Sequence, residues 1–302
     1  MNNLITILGP TATGKTAIAT ELAYRLNGEV ISADSRQVFR GMDIGTGKDL
    51  ADYHIHGVDI PYHLIDICDP TEEYNAYRFM GDFRDAYNDI VSRGRVPIMC
   101  GGTGLYLDAV IRGYKLADAP VDPDYRATLA PYSDEELTER LASYVKLHNH
   151  TDTETRERLV RALEIQEFAR QHPDEYIHLP HMHHLVFGVE YSRQQIASRI
   201  ETRLQQRLDD GMIDEVRQLL AQGVAPDRLL RFGLEYRHCT RYLLGLIGKA
   251  ELFNDLFADI RHFAKRQSTW FRRMERNGVK IHWFDGSLPL GEKVAHIAAY
   301  LA

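Results

Sequence analysis

The sequence predicts an α/β fold in which a mostly parallel sheet is flanked by helices and interrupted by a helical insertion domain. Three observations carry this prediction. Short apolar runs alternate with segments of helical period through the N-terminal third, helical segments alone fill the middle, and a strand-like run reappears at residue 185. Alternating strands and helices imply right-handed crossovers and a sheet buried on both faces.

Taken in order, residues 4–8 are a continuous apolar run ending in Gly9-Pro10, which reads as a strand and a turn. Residues 14–26 carry Ile18, Leu22 and Leu26 at helical spacing. Residues 29–33 form the next strand, which stops at Asp34-Ser35; a loop rich in Gly and Asp leads to a further apolar run, 64–67. Residues 77–92 read as a helix closed by Gly94, and 96–100 as a strand running into Gly101-Gly102-Thr103-Gly104 and a helix through Ile111. A segment rich in Pro and Asp, 117–123, then opens a region of two helices, 134–147 and 153–171, with no strand between them, followed by a polar linker, 172–184. Residues 185–191 return to the sheet and lead into a basic helix, 192–210. Helices at 212–222, 235–244 and 250–276, a strand at 279–284 and a short helix complete the chain. The expected division is a core of residues 1–116 with 185–302, and an insertion of residues 117–184.

Composition narrows the function. With 302 residues the chain is long enough for two domains and a sizeable core. Apolar residues at 44% and charged residues at 26%, with scattered Gly and Pro, exclude disorder and collagen-like repeats. No apolar run approaches the roughly 18 residues of a membrane span, and the N-terminus lacks a basic signal region, so a cytoplasmic location without membrane partners is expected. Cys68, Cys100 and Cys239 are far apart, indicating neither a disulfide framework nor a thiolate zinc site. The net charge of −7 means that any polyanion must be met by basic residues gathered on one face.

The strongest motif is Gly9-Pro10-Thr11-Ala12-Thr13-Gly14-Lys15-Thr16, a G-x-x-x-x-G-K-[ST] sequence placed after a strand and opening a helix. It makes the core P-loop NTPase-like. In such a loop backbone N–H groups converge on phosphate oxygens, Lys15 adds a mobile cation, and the Thr16 hydroxyl is placed to ligate Mg²⁺. Asp34, at the carboxyl end of its strand, stands where ligands of open α/β sheets bind, either to accept a proton or hold a metal, or simply to cap a loop. Gly101 to Gly104 offers glycines and Thr103 where a nucleotide hydrolase would present a metal-binding Asp, which argues against an ATPase motor. Arg199, Arg203 and Arg207 share one helix face. Together with Arg156, Arg158 and Arg161, and with Lys265, Arg266, Arg272, Arg273 and Arg276 around Trp270 and Phe271, they make a plausible polyanion footprint, the aromatics stacking on unpaired bases. His178, His181, His183 and His184 lack carboxylate or thiolate company and are not read as a metal site.

Six segments together resemble one family. They are residues 9–16; Ile31-Ser32-Ala33-Asp34-Ser35; Gly41-Met42-Asp43-Ile44-Gly45-Thr46; Asp66-Ile67-Cys68-Asp69-Pro70; Gly101-Gly102-Thr103-Gly104-Leu105-Tyr106; and Ala264-Lys265-Arg266-Gln267-Ser268-Thr269-Trp270-Phe271-Arg272. In order along nearly the whole chain they resemble the bacterial tRNA dimethylallyltransferases (isopentenyl-diphosphate:tRNA transferases). The resemblance implies transfer of a dimethylallyl group from dimethylallyl diphosphate to the exocyclic amine of the adenosine 3′ to the anticodon, in tRNAs reading codons that begin with U. It makes Asp34 the general base, places Thr103 on the target base, and assigns the diphosphate to residues 9–16 and Arg203, with Mg²⁺ as cofactor. By the same resemblance the anticodon stem-loop of tRNA is contacted by Asp34, Ser35, Arg36, Gln37, Thr103, Arg126, Glu157, Arg158, Leu159, Val160 and Arg161; a monomer is expected, though the sequence itself does not reveal the oligomeric state. The family's Gly-Tyr-Lys/Arg-Glu stretch is shifted here to Gly233-Leu234-Glu235-Tyr236-Arg237, and no Cys/His zinc finger follows the core. A small-molecule kinase, an adenylate dimethylallyltransferase and a nucleotide-dependent RNA-binding module are the alternatives; the insertion and the distributed arginines favour tRNA.

Overall fold

A computed structural model describes residues 3–144, 153–172 and 175–301. The chain divides into two compact units, residues 1–113 with 179–302, and residues 114–178. The boundaries differ from 116/117 and 184/185. Gly113, in the left-handed region (φ 61°), stops the preceding helix, and the return strand begins at His183, two residues ahead of its expected start.

The first unit contains a six-stranded sheet with every pairing parallel. Its strands are β1 (Asn3–Leu8), β2 (Gly28–Ala33), β5 (Tyr62–His63), β6 (Val96–Gly101), β7 (His183–Glu190) and β8 (Ile281–Asp285), in spatial order β5-β2-β6-β1-β7-β8. A small antiparallel pair, β3 (His54–Ile55) and β4 (Val58–Asp59), lies apart from it. Helices α1 (Lys15–Leu26), α2 (Ala76–Ser92), α3 (Gly104–Arg112), α7 (Arg193–Asp209), α8 (Met212–Ala221), α9 (Pro226–Phe232), α10 (Leu234–Leu243), α11 (Lys249–Arg276) and α12 (Leu290–Ala299) complete the unit. The sheet core joins Ile5, Ile7, Val30, Ile98, Phe187 and Val189 to Ile18 and Leu22 of α1 and to Val294 and Ile297 of α12. A second core gathers Ile200, Leu204, Val216, Leu229, Tyr236, Leu252 and Leu256 from α7 to α11. Because β1, β2 and β6 run parallel, the loops after them leave from one edge of the sheet.

Two expectations fail locally. The run 64–67 is not a strand, since Leu64 and Asp66 adopt φ of 62° and 57° and the pairing stops at His63. Asp66 turns in to meet the buried Lys48, which also bonds Phe39 O at 2.8 Å and Asp43 at 2.6 Å. Helix α9 was not expected; it starts with Pro226 at its first turn, where the missing N–H costs nothing.

The second unit holds α4 (Pro123–Leu129), α5 (Asp134–Tyr144) and α6 (Arg156–Gln171) around Leu129, Leu137, Leu141, Leu159 and Leu163. Helix α4 was also unexpected, and again a Pro follows a good cap, the Asp122 carboxylate accepting from Tyr125 N at 2.9 Å. The expected extension of α5 to Leu147 falls outside the described residues.

Candidate active site at the sheet edge

The glycine loop after β1 is tightly wound. Thr13 is buried and its Oγ1 donates to Pro10 O at 2.8 Å, while Ala12 and Gly14 both adopt left-handed backbone, with φ of 61° and 75°. The N–H groups of Lys15 and Thr16 open α1 and have no intrahelical partner. Lys15 folds back over the loop, donating to Pro10 O at 2.7 Å. Burial lowers its pKa to about 8, reinforced by nearby Arg203 and opposed by Cys100 and Asp34. The Thr16 hydroxyl makes no hydrogen bond among the described residues, and no group of three or more His, Cys, Asp or Glu side chains there could hold a metal. Thr16 thus offers a single hydroxyl; a hard cation held there would take its other positions from phosphate oxygens and water, a donor set that would suit Mg²⁺.

Asp34 follows β2. Its Oδ1 accepts from Arg36 N at 2.9 Å, and no described hydrogen bond uses Oδ2. Thr103 follows β6 and is stitched to the same turn: its Oγ1 accepts from Ser35 N at 3.0 Å, and its own N–H donates to Ala33 O at 3.2 Å. Gln37 accepts from Ser32 Oγ at 2.9 Å and donates to Gly47 O at 3.0 Å. The structure therefore brings Asp34, Ser35, Gln37 and Thr103 into one cluster. Arg36 is exposed, with its guanidinium 5.5 Å from the Phe232 ring.

The arginines of α7 close the other side. Arg199 Nε donates to Ala12 O at 2.7 Å, and Arg203 pairs with Asp49. Arg203 and Arg207 lie against Gly47, where any Cβ would meet their guanidinium groups. Arg207 Nε is buried with no hydrogen-bond partner among the described residues, and burial, reinforced by Arg203, lowers the pKa of this guanidinium. Burial pushes the Glu235 carboxyl up, opposed by Arg207. Glu235, from the shifted Gly233–Arg237 stretch, thus faces the arginine row. The loop beneath is held by Glu215, which accepts from Asp43, Ile44 and Gly45 N–H at 2.8, 2.6 and 3.1 Å and from Tyr236 at 2.7 Å. Sequence reasoning missed Glu215, because nothing local marks it.

Helix α11 contributes differently from expectation. Phe271 is fully buried, and Trp270 packs on Gly104 beneath the Arg273 guanidinium, 4.0 Å from the indole. Phe271 therefore has no face to offer a base. Gln267, 7% exposed, accepts from Thr11 N at 2.9 Å and donates to Gly102 O at 2.9 Å.

In the helical unit, Arg126 makes a two-point pair with Glu164, both contacts at 3.0 Å, and Arg161 pairs with the same carboxylate and donates to Ala119 O at 2.6 Å. Arg158 and Glu157 are exposed, Arg158 beside Glu154. Val160 is half-buried. Leu159 is 1% exposed and sits in the leucine core, so its side chain is not an RNA-facing group.

With this geometry in view, comparison with known proteins is decisive. Residues 37–274 match the IPP transferase family model, and residues 2–58 match the isopentenyl transferase model. The chain belongs to the IPP transferase family. Curated relatives of this family member include tRNA dimethylallyltransferase 2 of Bacteroides fragilis, 52% identical over 292 residues that cover 97% of this chain and 95% of the relative. Another is tRNA dimethylallyltransferase 1 of Parabacteroides distasonis, 52% identical over 97% of this chain and 95% of its own length. Among solved structures, the full-length tRNA isopentenylpyrophosphate transferase of Bacillus halodurans superposes with a TM-score of 0.73 at 35% identity, covering 100% of this chain and 96% of that one. The P-loop NTPase-like core expected from the sequence is the fold of this family member.

Proposed function

We propose that this chain moves a dimethylallyl group from dimethylallyl diphosphate to the exocyclic amine of the adenosine 3′ to the anticodon, in tRNAs reading codons that begin with U. The observation that carries the reading is the pairing of a phosphate-binding loop with an Asp34 carboxylate whose Oδ2 is uncommitted. Breaking the allylic C–O bond leaves negative charge on diphosphate and positive charge on the allylic carbons. The first-turn N–H groups, Lys15 and Arg203 act on the departing diphosphate. Thr16 would hold a Mg²⁺ ion, which would supply further neutralisation of that charge. The adenosine nitrogen forms the new C–N bond, and its proton passes to Asp34 Oδ2. Thr103, fixed by Ser35, borders the space the base enters, and Arg36 and Gln37 flank it.

An anticodon loop presents its bases with less unstacking cost than a duplex does, which suits a site that must isolate one purine. Arg158 and Glu157 offer exposed polar contacts to the RNA. Arg126 and Arg161 are committed to Glu164, and their part is to hold the helical unit in shape. No helix among the described residues is long and apolar enough to cross a membrane; it is the tRNA substrate of the proposed reaction that places it in the cytoplasm.

The test is incubation with labelled dimethylallyl diphosphate and an anticodon stem-loop, read by mass spectrometry of the nucleosides. The expected product carries one C5H8 unit on one adenosine and appears with one equivalent of diphosphate. Labelling of AMP in preference to RNA would move the assignment to a free-nucleotide transferase, and ATP consumption with neither product would indicate a kinase.

A further inference from the structure

We propose that Gln267 is a positioning residue that sets the distance between the donor diphosphate and the acceptor base. This rests on the prenyl-transfer reading above and adds a residue to it. The two loops that serve the two substrates leave from adjacent strands, β1 and β6, but no described backbone hydrogen bond joins the Gly9–Thr16 loop to residues 102–104. One side chain spans them. Gln267 Oε1 accepts the Thr11 N–H, and its Nε2 donates to Gly102 O, both at 2.9 Å. Both bonds cross long stretches of sequence, so they report tertiary placement and not local turn chemistry.

The polarity of the bridge is fixed. The Thr11 N–H is a donor and the Gly102 C=O an acceptor, and a carboxamide serves both at neutral pH. The sequence around it is shaped to let it in. A Cβ on Gly102 would stand 2.5 Å from Gln267 Nε2, and one on Gly104 would run into Trp270. One turn of α11 thus docks on the second glycine loop through Gln267 and Trp270. Ala264, Phe271 and Met274, all buried, hold that turn. Thr103, the hydroxyl at the acceptor side, is the next residue after Gly102. Shifting the carbonyl of Gly102 relative to the phosphate loop therefore shifts Thr103, and with it Ser35 and the Asp34 turn. Displacements of that kind act on the rate of the aligned step while leaving the phosphate contacts in place.

Three variants separate this role from a structural one. Gln267→Met keeps the length and removes both bonds. Gln267→Asn keeps the chemistry and is one carbon too short to span both loops. Gln267→Glu keeps the acceptor for Thr11 and, when ionised, has no donor for Gly102 O; when protonated it has one, matching the carboxamide. Each is tested for single-turnover prenylation of the stem-loop, dimethylallyl diphosphate affinity and thermal midpoint. We expect Gln267→Met and Gln267→Asn to lower the transfer rate at least tenfold with diphosphate affinity changed less than threefold. We expect Gln267→Glu to be equally slow at pH 8 and to recover relative to wild type as the pH falls towards 6. A transfer rate for Gln267→Met equal to wild type overturns the proposal, as does a Gln267→Glu rate at pH 8 equal to wild type. Loss of rate and affinity together with a large fall in thermal midpoint overturns it as well, in favour of a folding role. If the wild-type protein itself fails to prenylate the RNA, the reading beneath fails, a result distinct from any of these.

Discussion

Helices α6 and α7 each carry four arginines, and they put three of them to opposite uses. On α7, Arg199 and Arg203 reach loops far away in sequence, at Ala12 and Asp49, and Arg207 packs on Gly47, so the row becomes one wall of the sheet-edge site. On α6, Arg156, Arg158 and Arg161 pair with carboxylates of their own unit, Asp134, Glu154 and Glu164. On the proposed reading the first set meets an incoming anion. The second is mostly neutralised within its unit, with Arg158 its most exposed member. Arginine spacing on a helix therefore tells which residues share a face and not what that face meets.

If that contrast is right, damage at the sheet edge slows chemistry and damage on α6 weakens RNA binding alone. The largest expected effect is at Asp34: Asp34→Ala should lower the transfer rate roughly a hundredfold or more, while stem-loop binding, read by filter retention, stays within a few-fold. Arg203→Ala comes next. Loss of one charge-assisted contact to diphosphate should lower kcat/KM for dimethylallyl diphosphate roughly tenfold to a hundredfold, measured at saturating RNA. A rise in the RNA KM instead would erase the distinction between the two helices.

The pH dependence is the third test. Lys15 carries its charge below its folded pKa of about 8 and loses it above. In the free enzyme, kcat/KM for the diphosphate should therefore fall as pH rises past 8, by up to about tenfold per pH unit, and Lys15→Met should flatten that limb. The smallest effect belongs to α6. Arg158→Ala should weaken stem-loop binding a few-fold and reduce the slope of log affinity against log salt by about one, with the single-turnover rate unchanged. An unaltered salt slope would remove Arg158 from the RNA contact set.

How much of this was legible follows the distance over which each signal acts. The glycine loop is legible because its eight-residue pattern, strand before and helix after, is local. Asp34 and Thr103 were found from their places at strand ends. That Thr103 receives the Ser35 N–H depends on β2 and β6 pairing in register, which a single sequence does not display. Gln267 lay inside a recognised segment, yet its two partners sit in loops near the other end of the chain. Glu215 has no motif at all. Phe271 and Trp270 were read as base-stacking groups because aromatics among basic residues fit an RNA footprint; helical phase puts Phe271 inward with Ala264 and Met274. Leu159 came with a transferred stretch, and its burial with Leu129 and Leu163 limits that transfer to its exposed neighbours.

The central claim is that the Gly9–Thr16 loop seats a diphosphate as leaving group, with the acceptor amine beside Asp34. A crystal structure with an unreactive thiolodiphosphate analogue of the donor and the anticodon stem-loop tests it directly. The expected result is a diphosphate against the N–H groups of Lys15 and Thr16, with the adenosine amine within hydrogen-bonding reach of Asp34 Oδ2. A diphosphate seated elsewhere, or a purine occupying the loop, would contradict it.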